Sequence, residues 1–147
     1  MIKVLIIEDQ SEQFDGLKAE FLKQRERFSI YPENNNDRDK NLNNIGHLID
    51  VIIGAGHEEK YETITAYYTD IDLFIIDANL YVANNDRYGF AFLNYLKRSN
   101  YRNGKFKFII ITRFNLDQLP PIEAPFNPAE QFVAKDRWGA RYPEEVT

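Results

Sequence analysis

Apolar and polar positions are grouped in this chain so that short, continuous hydrophobic runs each stop at a polar side chain. Val4 to Ile7 runs into Glu8 and Asp9, Leu73 to Ile76 into Asp77, Phe108 to Ile111 into Thr112, and Phe132 to Ala134 into Lys135. Runs of this kind, without alternation, are the pattern of strands buried on both faces, as in a parallel sheet. Between them the period changes to that of helices. Phe14, Leu17, Phe21 and Leu22 recur on one helical face behind a capping Ser11, with Lys23, Arg25 and Arg27 near the negative C-terminal end. Tyr61, Ile64 and Tyr68 mark a second helix over 57–68, and Phe92, Leu93 and Leu96 a third after Gly89. The order β, α, β, α, β, α, β predicts an α/β fold.

Two regions interrupt the rhythm. A polar stretch around 31–44, rich in Asn and Asp, reads as an insertion, and it leaves two places for the second strand. Phe28 to Tyr31 is one; Ile49 to Ile53, ended by Gly54-Ala55-Gly56, is the other and is favoured. Farther on, Pro120, Pro121, Pro125 and Pro128 fall where a helix should follow the fourth strand. Each removes a backbone donor, so the fourth helix is expected to be short or missing, and little chain remains beyond Lys135 for a fifth. Asn127 to Glu130 has the signals for one helical turn at most.

A length of 147 residues suits a single domain over 1–147 that buries roughly 70% of its unfolded surface. The absence of cysteine excludes a disulfide framework and thiolate metal sites, and the chain shows neither a secretory leader nor an apolar span of membrane length. A soluble cytoplasmic protein is expected. A formal net charge of -5 argues against a nucleic-acid or anionic-membrane binder, both of which need clustered positive charge. The basic stretch Lys97 to Lys107, with Tyr101 and Phe106 interleaved, reads as a solvated helix end and polar turn.

Polar groups that follow parallel strands converge in the crevice where open α/β sheets bind ligands. Here they would be three acids, a hydroxyl and an ammonium. In this order they resemble the receiver domain of two-component response regulators, over nearly the whole chain from Met1 to about Trp138. The resemblance implies a flavodoxin-like doubly wound five-stranded sheet of order 2-1-3-4-5. It implies an acidic pair at Glu8 and Asp9, a phosphoacceptor at Asp77, a hydroxyl at Thr112, a lysine at Lys135, and an inward-turning aromatic at Phe132. The cofactor implied is Mg2+, held by Glu8 directly or through water, Asp9, Asp77 and the backbone carbonyl of Asn79. Hard oxygen donors of this kind suit magnesium, which usually keeps several waters.

The implied activity is acceptance of a phosphoryl group on Asp77 from a histidine kinase or phosphotransfer protein, with at most self-phosphorylation and autodephosphorylation as catalysis. Phosphorylation would then switch a contact with a downstream protein. The chain departs from the pattern in several places. Arg113 and Phe114 follow Thr112 where a small residue is usual, Asp136 replaces the usual proline after Lys135, and the loop from Ala78 to Gly89 is long. With its fourth and fifth helices cut back, the chain is not expected to dimerise through them. Two other readings compete. One is a degenerate receiver that acts as an interaction module without phosphorylation. The other is a PIN-like or NYN-like metal-dependent nuclease, which the stretch around Asp77 resembles locally.

Overall fold

A computed structural model describes residues 1–8, 11–31, 33, 65, 68–77, 88–112 and 132–134, giving the backbone alone for 11, 88–91, 112 and 132–134. β1 (Ile2–Ile7) leads into α1 (Ser11–Leu22) and back into β2 (Phe28–Tyr31). β3 (Leu73–Asp77), α2 (Tyr88–Arg98), a 3-10 turn (Tyr101–Gly104) and β4 (Lys107–Thr112) come next, then the short β5 (Phe132–Ala134). β1 to β4 form a parallel sheet, and β5 pairs parallel with β4, giving the order β2-β1-β3-β4-β5. The α/β character expected from the apolar runs is present.

Both faces of the sheet are covered, which is why its inner strands read as unbroken hydrophobic runs. Val4 and Ile6 of β1, Leu73 and Ile75 of β3, and Ile109 and Ile111 of β4 share one face, packed with Phe14, Leu17 and Phe21 of α1. The intervening residues face the other way. There Phe92 of α2 meets Phe74 edge-on, with ring centroids 6.1 Å apart. Edge-to-face aromatic pairs of this kind add about 0.5–1.5 kcal/mol beyond the area they bury.

The second strand is Phe28–Tyr31, not the favoured Ile49 to Ile53. The reason is local. Phe21 at the end of α1 meets Phe28 edge-on at 5.0 Å, and Ile2 N–H donates to Arg27 O at 2.8 Å, so the chain leaving α1 is delivered straight to the edge of β1. Phe28 and Ile30 then alternate into the α1 core. Residues 49–53 lie outside the described set, as do the prolines at 120–128 and most of the polar insertion.

Smaller corrections concern faces and boundaries. Leu22 is 47% exposed, since it sits about 100° round the helix from Phe21, off the stripe formed by Phe14, Leu17 and Phe21. Lys23, Arg25 and Arg27 fall beyond the last helical residue. α2 begins at Tyr88, so Gly89 lies inside it and does not close the loop before it. Of the helix expected over 57–68, Thr65 is helical and Tyr68 is already in a bend.

The segment after α2 is a solvated turn as expected, except that it buries one ring. Tyr101 is buried, its ring edge-on to Phe74 at 5.5 Å and to Phe106 at 5.6 Å. Asn100, Arg102 and Asn103 adopt left-handed backbone angles, with φ of 56°, 49° and 56°, and Gly104 follows at 78°. Asparagine and glycine accept this region readily, whereas for arginine it costs roughly 1–2 kcal/mol. The anchors offset that strain. Tyr101 Oη donates to Tyr68 O and accepts from Ile71 N–H, and Arg102 Nη1 donates to Ile71 O at 2.9 Å and to Asp72 Oδ1 at 2.7 Å.

Candidate functional site

The strands deliver their polar ends to one edge of the sheet. In the β1–β3 ladder Ile7 is level with Ile76, so the next residue of each strand, Glu8 and Asp77, also comes level. Glu8 is 0% exposed and Asp77 1%, and they are the two buried charged residues among those described. Adjacent strands lie about 4.8 Å apart, which makes these two carboxylates close neighbours at the carboxyl ends of β1 and β3.

β4 brings Thr112 to the same edge. Asp77 pairs with Ile111, so the backbone of Thr112 lies one position beyond the acid. Thr112 in turn pairs with Ala134, the last residue of β5, and Lys135 follows in sequence. The structure thus brings together Glu8, Asp77 and the backbones of Thr112 and Phe132 at or near the strand ends. Phe132 pairs with Ile110, two positions short of Thr112, on β5 as expected. Asp9, Asn79 and Lys135 lie outside the described residues.

The donor set fits the cofactor implied by the resemblance. Two hard carboxylates side by side are the number that a magnesium site commonly takes from protein, the remaining positions of its octahedron going to water and substrate oxygens. Among the described residues no cluster of three acids or histidines makes a fuller cage. A divalent ion held between two carboxylates on neighbouring strands would offset their mutual repulsion. Glu8 and Asp77 would be the groups that hold it.

The opposite edge of the sheet carries a second charged cluster that the sequence reading passed over. Lys3 N–H donates to Asp72 Oδ2 at 2.9 Å, Arg102 holds the other oxygen of Asp72, and the Lys3 ammonium pairs with Asp70. Partial burial pushes the Asp72 carboxyl up, but hydrogen bonds from Arg102 and from the Lys3 backbone outweigh it and hold the group below the usual aspartate range. Burial raises the Tyr101 phenol above its ordinary value, with the hydrogen bond from Ile71 N–H opposing it. The available signal was the spacing of Asn100 and Asn103-Gly104 around an aromatic, which favours left-handed turns that tuck the ring inward.

No family model, curated protein or solved structure matches this chain. Its function is therefore argued from the chemistry of the site. Among the described residues, no helix is long and apolar enough to cross a membrane.

Proposed function

We propose that this chain is a receiver of two-component signalling that accepts a phosphoryl group on Asp77 and uses it to switch a protein contact. The observation that carries the reading is the pair of buried carboxylates, Glu8 and Asp77, level with each other on the neighbouring strands β1 and β3. The strand order supports it, since a 2-1-3-4-5 parallel sheet reverses direction at β1 and β3, and ligands of open α/β sheets bind at that reversal. On this reading the fold is the flavodoxin-like doubly wound sheet, with five strands and with its fourth and fifth helices shortened or missing.

Chemically, a carboxylate oxygen of Asp77 attacks phosphorus, a P–O bond forms as the P–N bond of a phosphohistidine breaks, and the departing imidazole keeps the electron pair and takes up a proton. Such a transfer passes through a loose transition state, so the work of the protein is positioning and charge neutralisation. A bound Mg2+ supplies part of that neutralisation. Glu8, Asp9 and the Asn79 carbonyl would hold such an ion with Asp77, Lys135 would offset charge on the phosphoryl oxygens, and the Thr112 hydroxyl would donate to one of them. This last bond exists only after phosphorylation, which gives two conformations a difference in free energy. Phe132, whose backbone lies on β5 beside β4, would be the aromatic that follows Thr112.

The test is incubation with magnesium and acetyl phosphate, read by intact mass, with beryllofluoride as a stable mimic read by NMR. A gain of one phosphoryl group on wild type, absent from Asp77→Asn, is expected. No gain where magnesium demonstrably binds would leave the phosphorylation-independent interaction module. Metal-dependent cleavage of single-stranded RNA that is lost in Asp77→Asn would favour the nuclease instead.

A further inference from the structure

The amino edge of the sheet, remote from the acids, holds an open cavity of about 570 Å³. Ile2, Leu73 and the half-buried Phe106 line it with apolar surface, joined by Met1, whose side chain is exposed, and Lys105, Lys107 and Asp72 supply its charged lining. A volume in this range accommodates a bulky side chain or a small ligand.

The segment that forms this edge of the cavity is basic. Residues 97–107 hold five of the 18 lysines and arginines of the chain and no acid, in a protein whose formal net charge is -5. The two nearby aspartates are already matched, Asp72 by Arg102 and Asp70 by Lys3. Lys97 is turned toward the α2 side, its ammonium 4.8 Å from the Phe108 ring centroid. Lys105 and Lys107, both exposed, have no ion-pair partner among the described residues. Their backbones are anchored by hydrogen bonds from Lys105 N–H to Arg102 O and from Lys107 N–H to Asp72 O, next to the left-handed turn that Tyr101 and Arg102 tie to Tyr68, Ile71 and Asp72.

We propose that this edge is a docking site for an acidic segment of a partner protein, one apolar side chain of which enters the cavity over Phe106 and Leu73 while flanking carboxylates meet Lys105 and Lys107. Two neighbouring cations without an ion-pair partner among the described residues, beside an apolar floor, select for acid and hydrophobe together, and the net negative charge of the chain steers such a segment away from other sites. The turn supplies a rigid platform, which lowers the ordering cost of binding. This docking site is independent of the chemistry at Asp77.

The test uses the full chain and a short fluorescein-labelled peptide of Asp and Glu around a central Leu-Phe, followed by fluorescence anisotropy. Binding is expected, with affinity reduced at least about tenfold by Lys105→Glu with Lys107→Glu, and by replacing Leu-Phe with Gly-Gly in the peptide. The milder pair Lys105→Gln with Lys107→Gln should fall between, and circular dichroism should show all variants folded. Failure of wild type to bind, equal binding by the charge-reversed protein, or equal binding of the Gly-Gly peptide would overturn the proposal. So would an oligothymidine of the same charge that competes as well as the peptide does, since the patch would then recognise nucleic acid.

Discussion

Replacing Asp77 with asparagine removes one of two negative charges buried side by side while keeping the size of the side chain, and the consequence for stability has opposite signs with and without metal. Two unit charges about 5 Å apart, the spacing set by neighbouring strands, repel by about 3 kcal/mol at an effective dielectric of 20. Side-chain adjustment and the remaining interactions of both acids reduce this to about 1–2 kcal/mol. In EDTA, Asp77→Asn should therefore be the more stable protein, its urea midpoint higher by about 1 M for a slope near 1.5 kcal/mol/M. Magnesium should reverse the order. At about 100 times its dissociation constant a ligand specific for the folded state adds about 2.7 kcal/mol to wild type, and the variant, having lost a ligand, should gain far less. Urea titrations followed by far-UV circular dichroism in EDTA and in magnesium measure both numbers. A variant less stable than wild type in EDTA, or equal stabilisation of the two proteins by magnesium, would refute the reasoning.

Other expectations concern the scaffold. Tyr101→Phe keeps the aromatic contacts but strands Ile71 N–H and Tyr68 O, and should cost about 1–3 kcal/mol in denaturant titration, against near zero if the hydroxyl contributes nothing. Phe74→Ala deletes the ring shared by Phe92, Tyr101 and Phe106 and should cost about 3–5 kcal/mol, or leave the chain unfolded. Because the Asp72 carboxyl is held below its ordinary range when folded, its contribution is fully present above about pH 4 and is lost as pH falls through the folded value. Its side chain is 39% exposed and solvent screens the pair with Arg102, so the loss is at most about 1 kcal/mol; Asp72→Asn should flatten the acid limb of the stability curve by that amount. Gly104→Ala, at φ of 78°, should destabilise by about 1 kcal/mol although its Cβ would meet nothing within 4 Å, which separates backbone strain from crowding.

The parallel strands were legible because burial on both faces removes alternation and leaves unbroken runs such as Val4 to Ile7 and Phe108 to Ile111. Asp77 was legible for the same reason, a lone charge ending a run that is otherwise wholly apolar. β2 was misplaced because an edge strand need be apolar at alternate positions only. Phe28 and Ile30 satisfy that with half the hydrophobic signal of the run Ile49 to Ile53. The burial of Tyr101 was missed because composition dominates a local reading, and a ring set among Arg, Asn, Lys and Gly looks solvated until three left-handed residues turn it inward. Within the acidic pair the sequence does not distinguish roles, whereas the parity of β1 carries Glu8 onto the face shared with Val4 and Ile6, where it is buried.

The link between Lys3 and Asp72 has a geometric consequence at the far end of the molecule. Lys3 N–H donates to the Asp72 side chain and Asp72 N–H donates to Lys3 O at 2.9 Å, joining residues 69 apart in sequence. Aliphatic strands buried on both faces are poor at fixing their own alignment, since a slide of two residues returns every side chain to its original face. Such a slide would set Glu8 and Asp77 about 7 Å out of line. The polar link marks a zero on the ruler from which both strands are measured, and five residues later, roughly 16 Å away, the two acids arrive abreast.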